Sequence, residues 1–130
     1  MRSRIMEKVL NIGGKEVPFR SNGSLMLRYK AQFGRDFLSD FGKLQNCLYY
    51  DADVTTPDGK TVKEKRIDLT KLDTEVFFNI AWTMAKIADP TIPSDVMAWL
   101  DGFEEFPVFD VFKEIFELIN ANFTVDRKNV

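Results

Sequence analysis

Apolar residues recur along this chain in two different periods, and the change of period divides it into elements. Near the start, Val9-Leu10-Asn11-Ile12 and Glu16-Val17-Pro18-Phe19-Arg20 flank Gly13-Gly14-Lys15. Leu10 and Ile12 fall on one face of an extended segment, as do Val17 and Phe19, and glycines between them supply the positive φ of a tight turn. A β-hairpin over 5–20 is expected. Pro18 has no N–H for a ladder, so its strand should be an edge or have a free N–H side.

Helical spacing takes over next. Leu25, Met26, Tyr29 and Phe33 form one stripe, with Ser21 or Asn22 as the cap and Gly34 as the left-handed stop. A short second helix starts near Asp36 and carries Phe37, Phe41, Leu44 and Leu48 on one side. Gly42 weakens its middle by roughly 1 kcal/mol relative to alanine. From Asp51 to Arg66 the apolar pattern fails: Thr56-Pro57-Asp58-Gly59 is a turn signal and the residues after it are charged. Residues 51–66 are therefore expected to be a mobile loop, with a small exposed hairpin as the alternative.

Order returns at Asp73, which can cap a helix of about fifteen residues. Its stripe is Val76, Phe77, Ile80, Met84, Ile87 and Ala88, with Trp82 nearby. Asp89-Pro90 ends it. Pro93-Ser94-Asp95 opens a shorter helix through Leu100, and a last helix runs from about Val108 to Asn122, leaving a tail over 124–130. Together these elements predict one α+β domain over 1–130, predominantly α-helical, with an N-terminal β-hairpin and about five helices. There is no internal repeat, heptad series or low-complexity tract.

Composition narrows the function. The chain has 130 residues, one cysteine and no histidine. The length suits one core. Lone Cys47 cannot form an internal disulfide, which fits a reducing cytoplasm. The missing histidines remove the commonest acid–base group and metal ligand near neutral pH. No apolar run reaches the roughly 20 residues that span a bilayer, and Arg2 and Arg4 are followed by no signal-peptide core. Phosphate-loop, dinucleotide and nucleophile-elbow motifs are absent. The carboxylates Asp101, Glu104, Glu105, Asp110, Glu114 and Glu117 read as a solvated acidic face, and Cys47 as a small buried residue. No enzyme, metal or cofactor is expected.

Net charge is −2, but residues 1–66 carry 13 Lys/Arg and 8 Asp/Glu (+5) while residues 67–130 carry 5 and 12 (−7). The basic half, with Arg2, Arg4, Lys8, Lys63, Lys65 and Arg66, makes a small nucleic-acid-binding regulator the alternative function. The negative total and the lack of a recognition motif weigh against it.

The last helix carries the strongest signal. Val108, Phe109, Val111, Phe112, Ile115, Phe116, Leu118, Ile119 and Phe123 cover more than one stripe about 100° wide. Val111, Ile115 and Leu118 are expected to pack on the domain, leaving Phe109, Phe112, Phe116 and Phe123 to bind a partner or a second copy. Burying a phenylalanine is favourable by roughly 1.5–3 kcal/mol.

The order of these motifs resembles the tail assembly chaperones of long-tailed bacteriophages and prophages, in the form common in Gram-positive hosts. The resemblance rests on the hairpin Val9 to Arg20 and on Leu27-Arg28-Tyr29 through Phe33-Gly34-Arg35-Asp36-Phe37-Leu38. It continues in Leu72-Asp73-Thr74-Glu75 through Ile80-Ala81-Trp82-Thr83-Met84-Ala85-Lys86, and in the aromatic C-terminal helix. It covers most of the chain except about 45–66. The resemblance implies a non-enzymatic assembly factor that coats the helical tape measure protein, assists polymerisation of the tail tube protein in the host cytoplasm, and leaves before the virion is finished. It supplies no binding residues position by position.

Overall fold

The computed structural model describes residues 6–47 and 50–123; Arg2, Arg4, Leu48 and the expected tail 124–130 lie outside the described residues. Strands β1 (Glu7–Ile12) and β2 (Lys15–Arg20) pair antiparallel from Glu7–Arg20 to Ile12–Lys15. Gly13 and Gly14 form the two-residue turn with φ of 58° and 85°, a conformation that residues with a Cβ rarely adopt. Ladder alternation from the Ile12–Lys15 pair puts Pro18 at a non-hydrogen-bonded position opposite Val9, so its missing N–H removes no bond. Ile12, Val17 and Phe19 are buried on the inner face.

Helix α1 spans Leu25–Phe33 and starts later than the sequence suggested. The Asn22 side-chain oxygen accepts from Ser24 N at 2.9 Å and from Ser24 Oγ at 2.7 Å, so residues 22–24 turn before the helix begins. Gly34, at φ 68°, donates its N–H to Lys30 O and closes α1 as expected. Asp36 caps α2 (Phe37–Gln45) by accepting from Ser39 N at 2.9 Å.

Residues 50–66 form a hairpin, not a loop. Strands β3 (Tyr50–Thr55) and β4 (Thr61–Arg66) pair antiparallel through the Thr56–Lys60 turn. Thr56 N donates to Lys60 O at 2.8 Å, Gly59 N donates to Thr56 O at 2.9 Å, and Gly59 has φ 85°. This is the type I turn with a left-handed third residue that three-residue hairpin loops favour. The apolar alternation is weak here, and among the described side chains most are exposed. Turn chemistry and cross-strand pairing hold the hairpin. Its base is closed where Asp68 N donates to Cys47 O at 2.7 Å.

A short 3-10 turn (Leu69–Lys71) leads to α3 (Thr74–Ala88), capped by Asp73 through Val76 N. Helix α3 is the centre of the domain. Val76, Phe77, Ile80, Ala81, Trp82, Thr83, Met84 and Ala85 are all buried, between β2, α1, α2 and α4 (Val96–Leu100). Ile87 and Ala88, expected in its stripe, are only half-buried at its end. Trp82 donates Nε1–H to Pro93 O at 2.9 Å, tying the loop before α4 to α3. Trp99 packs edge-on against Phe19, Phe103 and Phe106. Both tryptophans are core. Helix α5 (Val108–Phe123) closes the domain. The hairpin followed by five helices is the α+β architecture expected of the chain. No helix among the described residues is long and apolar enough to cross a membrane.

Candidate partner-binding surface

Aromatic contacts from α3 and α2 hold α5. On one flank, Phe112 tilts against Phe77 of α3 at 6.1 Å. On the other, Phe41 of α2 meets Phe116 and Phe123, each at 5.4 Å, and Phe37 meets Phe123 edge-on. Val111, Ile115 and Leu118 are buried, as expected, and Ile119 with them. Much of the surplus apolar surface of this helix is therefore used within the domain.

The four phenylalanines assigned to a partner do not share one fate. Phe112 is 1% exposed and stacks on Phe116 at 5.9 Å, so it belongs to the core and not to the surface. Its helical position lies only about 60° from the centre of the buried stripe, close enough for α3 to cover it. Phe116 is half-buried between Phe41 and Phe112. Phe109 and Phe123 remain 44% and 39% exposed. Phe109, Phe116 and Phe123 follow one another at intervals of seven along α5, and the last two border Phe41 of α2. Leu38 on α2 adds a further exposed apolar side chain. Lys113 holds its ammonium 5.4 Å from the Phe109 ring centre, so a cation already covers one end of the row. Burying the exposed fractions of Phe109 and Phe123 would contribute about 0.6–1.3 kcal/mol each, less than half the value for a fully exposed ring.

The acidic residues of α5 are partly used in packing. Glu114 and Glu117 both accept from Lys8 of β1, which bolts the N-terminal hairpin to the last helix. These carboxylates, Glu117 foremost, hold the Lys8 ammonium above the usual lysine range. No group of three or more metal-ligating side chains occurs among the described residues.

One polar cluster was missed by sequence reasoning. Asp40 of α2 is buried and receives Arg35 as a fork, Nε at 2.7 Å and Nη2 at 2.8 Å, together with Tyr29 Oη at 2.7 Å. Arg35 holds the Asp40 carboxyl below the usual range, and burial with Asp40 alongside pushes the Tyr29 phenol far above its own. The signal was an aspartate within the Phe37, Phe41, Leu44 stripe, where only a partnered charge is tolerated. Asp40 takes bonds from both of the other groups. The cluster locks α1 to α2.

A half-open cleft of about 260 Å³ lies between α1 and α3, lined by Arg28, Ala31, Gln32, Trp82, Thr83, Lys86 and Ile87. It holds no carboxylate and no nucleophile paired with a base. Lys86 spends two donors on Pro90 O and Ile92 O, and Thr83 donates to Asn79 O. Cys47 is buried, donates to Leu44 O, and has its thiol pushed up by burial, the opposite of an activated nucleophile. No protein-family model, curated protein or solved structure matches the chain.

Proposed function

We propose that this protein is a non-enzymatic tail assembly chaperone of a long-tailed bacteriophage or prophage, which binds the tape measure protein and assists polymerisation of the tail tube protein. The observation that carries the reading is the row Phe109, Phe116 and Phe123 on α5. Intervals of seven place side chains along one seam of a helix, the arrangement that receives a second apolar-striped helix. A long helical protein with an apolar stripe aggregates unless that stripe is covered. The modest energy available from partly buried rings suits a cover that must later leave. The ordered motifs that resemble the chaperone family supply the identity of the helical partner. The site of action is the host cytoplasm, and the chaperone is absent from the finished virion.

The nucleic-acid alternative shares part of its basic set with internal ion pairs. Lys8, Lys63 and Arg66 each have a carboxylate partner within the chain. Co-expression with the long helical product of a neighbouring reading frame tests the proposal. That product should stay in the supernatant with this protein and pellet without it. An insoluble product in both cases, with this protein itself soluble, would overturn the reading.

A further inference from the structure

We propose that the β3–β4 hairpin joins copies of this chain head to tail, the β3 edge of one copy pairing antiparallel with the β4 edge of the next. Among the described residues the two strands pair only with each other, so each presents a free edge. Asp53, Thr55, Thr61 and Lys63 are exposed, and Val62 is 45% exposed. A two-stranded hairpin standing alone in water is marginal, and further strands are what stabilise it.

The edges differ in charge. The β3 sequence YDADVT carries −2 and the β4 sequence TVKEKR carries +2. Pairing β3 with β3, or β4 with β4, would set like charges together, which disfavours a two-fold dimer through either edge. Pairing β3 with the β4 of a second copy repeats the attraction already present inside the hairpin, where Lys63 Nζ lies 2.5 Å from Asp53 Oδ1.

Backbone alternation permits the same register. The bonded pair Thr56–Lys60 makes Thr55–Thr61 and Asp53–Lys63 non-bonded pairs within the hairpin. Their N–H and C=O groups therefore point outward, from opposite edges. Setting Asp53 against Lys63 of a second copy lets those groups satisfy one another. It also sets Val54 against Val62 of the second copy, continuing one apolar row across the joint. Such a contact is heterologous, so it adds copies beyond two. It involves neither α5 nor a tape measure, and stands or falls apart from the chaperone reading.

Sedimentation velocity over a concentration series at low salt tests it. The parent should form species larger than a dimer. Asp53→Lys and Lys63→Asp should each weaken association on the order of tenfold, and the double variant Asp53→Lys/Lys63→Asp should restore it. The double variant mixed with the parent should give two separate assemblies, because each new joint sets like charges together. Thr55→Pro removes an outward N–H without touching a hairpin bond, and should lower association while the circular dichroism spectrum is kept. A monomeric parent, co-assembly of parent with the double variant, or a folded Thr55→Pro that associates like the parent would each overturn the proposal.

Discussion

Replacing Phe112 by alanine should destabilise the domain far more than the same change at Phe109, three residues earlier on the same helix. Phe112 is 1% exposed, stacked on Phe116 and tilted against Phe77. Removing a buried phenylalanine side chain costs about 3–5 kcal/mol through lost transfer energy and the cavity left behind. Phe116 borders solvent and can lean into the space, so the lower half of that range is expected, about 3–4 kcal/mol. For a domain of this size each kcal/mol lowers Tm by roughly 3–5 °C, giving a fall of about 9–20 °C. Phe109 is 44% exposed and lies under Lys113, so its truncation should cost only about 1 kcal/mol. Urea unfolding of both variants, followed by circular dichroism and tryptophan fluorescence, measures the difference through the midpoints at constant slope. Equal stabilities within about 0.5 kcal/mol would refute the placement of Phe112 in the core and return it to the surface.

Asp40→Asn should lose about 1–3 kcal/mol, because Tyr29 and Arg35 then face a neutral amide in a buried site, and chemical denaturation reads this directly. The same carboxylate makes stability pH-dependent. Its folded pKa lies below the unfolded value, so its contribution is full above the ordinary carboxylate range and is lost as pH falls through it toward the lower folded value. Urea midpoints between about pH 6 and 3 should therefore fall less steeply in Asp40→Asn than in the parent. Asp36→Ala removes the α2 cap on Ser39 N and should cost about 1 kcal/mol by thermal melting. Limited trypsin digestion should cut first in the exposed β3–β4 hairpin, at Lys60 or Lys63, and mass spectrometry of the first fragments checks it.

Where local chemistry decides the structure, the sequence was legible. Gly13-Gly14, Gly34, Asp36, Asp73 and Asp95 sit at the turns, stops and caps their residue types favour, because each acts on backbone atoms within a few positions. The long stripe of α3 was legible for the same reason. The β3–β4 hairpin was legible only in its Thr56–Gly59 turn and as the alternative to a loop, because its strands carry no sustained apolar alternation. The start of α1 moved because Asn22 bonds Ser24 in competition with the helix. The candidate surface was half legible. An excess of apolar residues on α5 is visible in the sequence, but dividing it between domain and partner depends on Phe41 and Phe77, which come from helices distant in the chain. The Asp40 cluster shows the same limit, since Tyr29 lies eleven residues away and only the packing of α1 on α2 brings it in.

The central claim is tested most directly by titrating a soluble fragment of the neighbouring helical protein into this protein by calorimetry, beside the variant Phe109→Asp/Phe123→Asp. Neither position is buried, so the variant should still fold, melting below the parent through loss of the Phe123 contacts with Phe37 and Phe41. Binding is compared at a temperature where both proteins are folded. The account predicts saturable binding to the parent and at least roughly tenfold weaker binding to the variant, since neither ring is then present to be buried against the partner. Equal affinity for both proteins, or no binding to a folded parent, would contradict it.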